Sequence, residues 1–113
     1  MVVVLSTTLV LKSTAKGDIM VKPLKPSEAR KLIHHILKNG DVTYSRPHAI
    51  ERMEEREMDT SDCINILRGG KVREGEYENG SWRYRVETPK MAVVVTFIGE
   101  DELMILTAWR EKR

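Results

Sequence analysis

Residues 71–98, KVREGEYENGSWRYRVETPKMAVVVTFI, switch the hydrophobic period of the chain to two, and that switch decides the fold. Successive side chains of a strand point to opposite faces, so SWRYRVE puts Trp82, Tyr84 and Val86 on one face and Arg83, Arg85 and Glu87 on the other. Between this segment and KVREGEYE stands Asn79-Gly80, a strong hairpin signal because both central residues of a type I′ turn need positive φ. MAVVVTFI is a continuous apolar run and predicts a central strand buried on both faces. GEDE then turns the chain into a last strand, LMILTAW, ahead of the charged tail REKR.

Upstream of residue 71 the period is helical. PLKPSEARKLIHHILKNGD holds Pro23 and Pro26 ahead of Ser27, the expected N-cap; Ala29, Leu32, Ile33, Ile36 and Leu37 form an apolar stripe, and Asn39-Gly40 a stop. VTYS reads as a short extended link. Pro47 suits the first turn of a second helix running to about Glu57, with Ala49, Ile50 and Met53 as its core face. DTSDCINILRGG predicts a third short helix, capped by Asp59 or Thr60, ended by Gly69-Gly70, with Cys63 on its apolar face. The expected architecture is an α+β domain in which two to three N-terminal helices pack on one face of an antiparallel β-meander. Residues 23–113 make one such domain. Residues 1–22 are expected to form an N-terminal strand over Val2–Leu11 or a poorly ordered extension, with Met20 as an alternative start.

The totals narrow the function. A chain of 113 residues with 41% hydrophobic content supports one modest core. Nineteen Lys and Arg against seventeen Asp and Glu leave +2, so any nucleic-acid contact has to rest on a local cluster rather than a bulk basic field. One cysteine excludes an internal disulfide, and no cysteines or histidines are spaced as metal ligands, so neither a metal nor another cofactor is expected. The apolar start lacks a cationic leader and is too short for a membrane span. A cytoplasmic location follows as the expectation.

One local cluster stands out. In SRPHAIERMEER, residues 45–56, His48, Arg52 and Arg56 recur at intervals of four and share one helix face. Like charges at that spacing destabilise a helix by about 0.2–0.5 kcal/mol, so they call for neutralising glutamates or an anionic ligand. In the structural alternative Arg52 pairs with Glu55 at i+3, Arg56 pairs with a carboxylate of the sheet, and His48 packs or caps. His34 and His35 are expected at the surface and Cys63 in the core, while Trp82, Tyr84 and Val86 alternate as a core face does.

The succession of SRPHAIERMEER, a short helix ending in Gly-Gly, a charged-aromatic strand, an apolar strand and ILTAW resembles a bacterial domain-of-unknown-function family grouped with RelE-like toxins, within the barnase, colicin and RelE superfamily of metal-independent ribonucleases. The resemblance covers roughly Tyr44 to Trp109. It implies a RelE-like fold and RNA cleavage by attack of a 2′-hydroxyl on the adjacent phosphate. It implies His48 as general acid or base and Arg52 and Arg56 as phosphate ligands. Arg83 and Arg85 are expected as further phosphate contacts acting with them, Tyr84 or Trp82 as a base-stacking ring, and Thr107 as an adjoining site residue. The implied partners are RNA and a cognate antitoxin or other protein. The alternative is a catalytically silent RNA- or protein-binding module of mobile-element or phage origin.

Overall fold

In the computed structural model, which describes residues 23–111, the chain runs α1 (Pro26–Asn39), β1 (Asp41–Tyr44), α2 (His48–Glu55), α3 (Thr60–Gly69), β2 (Lys71–Val72), β3 (Glu76–Glu78), β4 (Ser81–Glu87), β5 (Met91–Phe97) and β6 (Glu102–Arg110). The expected strand over Val2–Leu11 lies outside the described residues. The sheet order is β1-β6-β5-β4-β2, with β3 also paired to β4.

The hairpin forms where the turn chemistry places it. Asn79 and Gly80 have φ of 51° and 85°, the signature of a I′ turn, and Glu78 faces Ser81 across it. KVREGEYE is divided in two: Val72 faces Val86 while Glu76 faces Arg83, which leaves one extra residue between them. A β-bulge of this kind bends the strand. Strand β5 is central, between β4 and β6, and Ala92, Val93, Val95, Thr96 and Phe97 are buried, as an apolar run of that length predicts. A second bulge lies in β6, because Val94 faces Thr107 but Val95 faces Ile105.

Two local expectations are corrected. VTYS is no mere link: Asp41–Tyr44 pairs parallel to Glu102–Ile105, so the sheet is mixed rather than a pure antiparallel meander. Gly40 permits this pairing, since any Cβ there would collide with the Asp101 carbonyl, and the Asp41 N–H donates to that same oxygen at 2.8 Å. The first helix begins two residues earlier than an N-cap at Ser27 would place it. Lys25 is its N-cap, Pro26 takes the first turn, where a missing N–H costs nothing, and the Glu28 carboxylate accepts from the Lys25 N–H at 2.9 Å.

Helices α1, α2 and α3 bury one side of the sheet. Ala29, Ile33 and Ile36 of α1, Ala49 and Met53 of α2, and Cys63, Ile66 and Leu67 of α3 join Val86, Val93, Val95, Phe97, Leu103 and Ile105 in a single core. No described helix is long and apolar enough to cross a membrane.

Candidate nucleic-acid interface

Helix α2 follows β1 after only three residues, Ser45, Arg46 and Pro47. The Ser45 N–H still donates to Ile105 of β6, and the Ser45 carbonyl accepts from Ala49 at 3.0 Å. The helix therefore starts beside β6 and packs on it through Ala49 and Met53, both buried. With those positions turned inward, the 3.6-residue repeat brings positions 48, 52 and 56 to the border of the core face, on its solvent side. His48 and Arg52 are exposed and Arg56 is half-buried.

His48 makes no hydrogen bond or ion pair with any described residue, and its side chain is exposed. Arg52 and Arg56 converge: their Nη1 atoms lie 2.9 and 3.3 Å from one atom, Oε1 of Glu55. The partner expected for Arg52 is thus present, while Arg56 takes the same glutamate in place of a sheet carboxylate. Such exposed pairs contribute roughly 0–1 kcal/mol each. Arg52 also stands in the last turn of the helix, where a cation offsets the negative end of the backbone dipole.

The end of α2 is unusual. The Met58 N–H donates to Met53 O at 2.8 Å and the Glu57 N–H to Glu54 O at 3.2 Å, the two bonds of a Schellman motif, with Met53 and Met58 both buried. The left-handed position that this motif normally gives to glycine is filled by Glu57 at φ 57°. Arg110, the last residue of β6, donates from Nη1 to the Glu57 carbonyl at 2.7 Å and ties the helix end to the sheet. Sequence reasoning missed Glu57 and Arg110, because no glycine marks the turn and the contact spans more than fifty residues.

Arg83, Arg85 and Thr107 lie elsewhere. Tyr84 and Val86 point into the core under the helices, so their neighbours Arg83 and Arg85 point to the face of the sheet that carries no described helix. Arg85 faces Val94, and Val94 faces Thr107, which sets Arg85, Val94 and Thr107 in one row across that face. Here too the cations have carboxylate partners: Arg85 Nε lies 2.9 Å from Glu87, Arg73 lies 3.6 Å from Glu87, and Arg83 lies 3.9 Å from Glu78. Arg83 Nε is buried without a hydrogen-bond partner among the described residues. The described residues thus form two cationic groups, one on α2 and one on β4, and among them no hydrogen bond or ion pair joins the two.

Tyr84 is placed in the core rather than on a binding surface. It is 1% exposed, its ring packs against Phe97, and its hydroxyl oxygen accepts from the Leu24 N–H at 2.7 Å. Burial raises its pKa, and the Leu24 hydrogen bond partly offsets that rise. Trp82 is partly buried and meets exposed Tyr77 edge-on at 5.3 Å between ring centroids. His34 and His35 are at the surface as expected. His34 Nε2 lies 3.0 Å from the Arg68 carbonyl and His35 Nε2 lies 3.1 Å from Asp101 Oδ1. Among the described residues, no group of three or more His, Cys, Asp or Glu side chains is arranged to hold a metal ion.

The described residues therefore form an α+β domain with three helices on one face of a mixed sheet, one of them an exposed histidine–arginine helix packed on β6. Residues 45–110, more than half of the chain and the whole span from α2 to β6, match the family described as a domain of unknown function, DUF4258, and the protein belongs to that family. No curated protein and no solved structure matches it.

Proposed function

We propose that the protein is a toxin-like, metal-independent endoribonuclease with α2 as its RNA-contacting element. One observation carries this: His48, exposed and without a partner among the described residues, starts a helix face that continues into the converging guanidinium groups of Arg52 and Arg56. The RelE-like resemblance of the chain supports the same reading, and so does the stretch matched by the family, which begins three residues before His48.

In this reaction the 2′-oxygen attacks the neighbouring phosphorus as its proton is removed. The bond to the 5′-oxygen breaks, that oxygen takes up a proton, and a 2′,3′-cyclic phosphate remains. An imidazole can both accept and donate a proton through its ring nitrogens, so His48 suits either proton transfer, with water serving the other. The planar forks of Arg52 and Arg56 suit the phosphoryl oxygens, on which charge builds in the transition state. Arg83, Arg85 and Thr107, on the other face, are suited to hold a distal part of a longer RNA. The reading places the protein in the cytoplasm, with an antitoxin as its neutralising partner.

The second reading, a silent RNA- or protein-binding module, draws on the carboxylates that already pair Arg52, Arg56, Arg83 and Arg85. Purified protein and its His48→Ala variant, incubated in excess chelator with a broad RNA panel, separate the two. The ribonuclease reading expects cyclic-phosphate ends from the wild type and turnover lower by about 10²–10⁴ in the variant at unchanged melting temperature. Absence of cleavage by folded wild type leaves the binding module.

A further inference from the structure

The two arginines of α2 meet at one point. Arg52 is three residues before Glu55 and Arg56 one residue after it, and both aim Nη1 at the same carboxylate oxygen, at 2.9 and 3.3 Å. Each guanidinium carries five N–H donors, and each makes only the one side-chain hydrogen bond, to Glu55, among the described residues. A carboxylate oxygen and a phosphoryl oxygen are alike as acceptors for a guanidinium, in charge and in preferred distance. Glu55 thus occupies the spot that a phosphate oxygen would take between the two cations.

From this geometry we infer that Arg52 and Arg56 form a two-guanidinium site for an RNA phosphodiester and that Glu55 is its resident competitor. The inference rests on the proposed RNA reading for the identity of the ligand, but not on cleavage. Glu55 is about half exposed, with 55% of its side chain accessible, so it can swing out on the timescale of surface rotamer changes. Its attachment to the same helix gives it a high effective concentration at the site. A phosphodiester bears one negative charge, as the Glu55 carboxylate does, so binding exchanges one anion for another. The consequence is a site that the two arginines build and that Glu55 weakens in the wild type.

Glu55→Gln tests this, because it keeps the size and a hydrogen-bond acceptor while removing the charge. Glu54→Gln is the control: it makes the same change in net charge on the adjacent residue, which takes no part in the ion pairs. Titration with a short single-stranded RNA oligonucleotide, followed through the Nε–H signals of Arg52 and Arg56, is expected to show about 3–10-fold tighter binding for Glu55→Gln, and binding near wild type for Glu54→Gln. Adding Arg56→Ala to Glu55→Gln should abolish the gain. Equal tightening by both glutamine variants, no tightening by Glu55→Gln, or a gain that survives Arg56→Ala overturns the inference. A wild type that cuts no RNA while Glu55→Gln tightens binding at the arginines defeats the ribonuclease reading alone. Cleavage by the wild type with unchanged binding in Glu55→Gln defeats this inference alone.

Discussion

Helices α2 and α3 are neighbours in the chain and share one core, yet they are built by different rules. Helix α3 agrees with local physics at each step. The Asp62 N–H donates to Asp59 Oδ1 at 2.9 Å and the Asp59 N–H to Asp62 Oδ2 at 3.0 Å, a reciprocal cap. Cys63, Ile66 and Leu67 are buried, and the helix stops at Gly69-Gly70. Helix α2 has no side-chain cap at Pro47, carries like charges at i and i+4, and ends on a glutamate with positive φ. Local rules broken in one short element are what the proposed function expects of residues kept for binding rather than for stability.

That contrast is exposed to attack from its stability side first. Leu67 is 1% exposed in α3, so Leu67→Ala removes buried methyl groups and leaves a cavity; thermal or urea unfolding is expected to show a loss of about 2–5 kcal/mol. A loss below that range would mean that Leu67 does not pack in the core. The next effect is a pH dependence. Burial, followed by the nearby carboxylates of Asp62 and Asp59, pushes the Cys63 thiol up from 9.0 to about 11. The folded state therefore holds the proton more tightly than the unfolded chain. This stabilisation is complete below pH 9 and is lost as pH rises towards 11, a change of about 2 kcal/mol that Cys63→Ala should remove from the unfolding profile. The raised pKa values of Tyr44 and Tyr84, both due first to burial, extend the loss to higher pH.

Much of this fold was legible in the sequence, and the exceptions share a cause. Asn79-Gly80, the β5 run and the Asp59 cap declare themselves within a few residues. Strand β1 does not: it is four residues long, and its partner Glu102–Ile105 lies some sixty residues away. The two bulges depend on cross-strand counting that no single segment reveals. At the candidate site, the helical register of His48, Arg52 and Arg56 was legible, as was the alternation of Arg83 with Tyr84. That these form two groups, rather than one working together, follows from how α2 and β4 sit on the sheet, a tertiary fact. The burial of Tyr84 was open in the alternation, which serves core packing and base stacking equally well.

Smaller effects sharpen the contrast at the helix ends. Asp59→Ala removes the α3 cap and should cost about 0.5–2 kcal/mol in equilibrium unfolding. At the end of α2 the sign reverses. Glu57→Gly relieves a left-handed conformation that an L side chain resists, and is expected to stabilise the protein by roughly 0.5–1 kcal/mol, as a rise in melting temperature. A destabilised Glu57→Gly variant would show that the glutamate side chain makes a contribution larger than its backbone strain.

The most direct test of α2 as the functional element is one paired measurement on the double variant Arg52→Ala, Arg56→Ala: its melting temperature and its affinity for a single-stranded RNA across a salt series. Both arginines are surface cations joined to Glu55, so stability should change by about 1 kcal/mol or less. Affinity for RNA should fall at least about tenfold, with a shallower dependence on salt because fewer phosphates are neutralised. A large drop in melting temperature with RNA affinity unchanged would contradict the account, by making the arginines of α2 part of the scaffold.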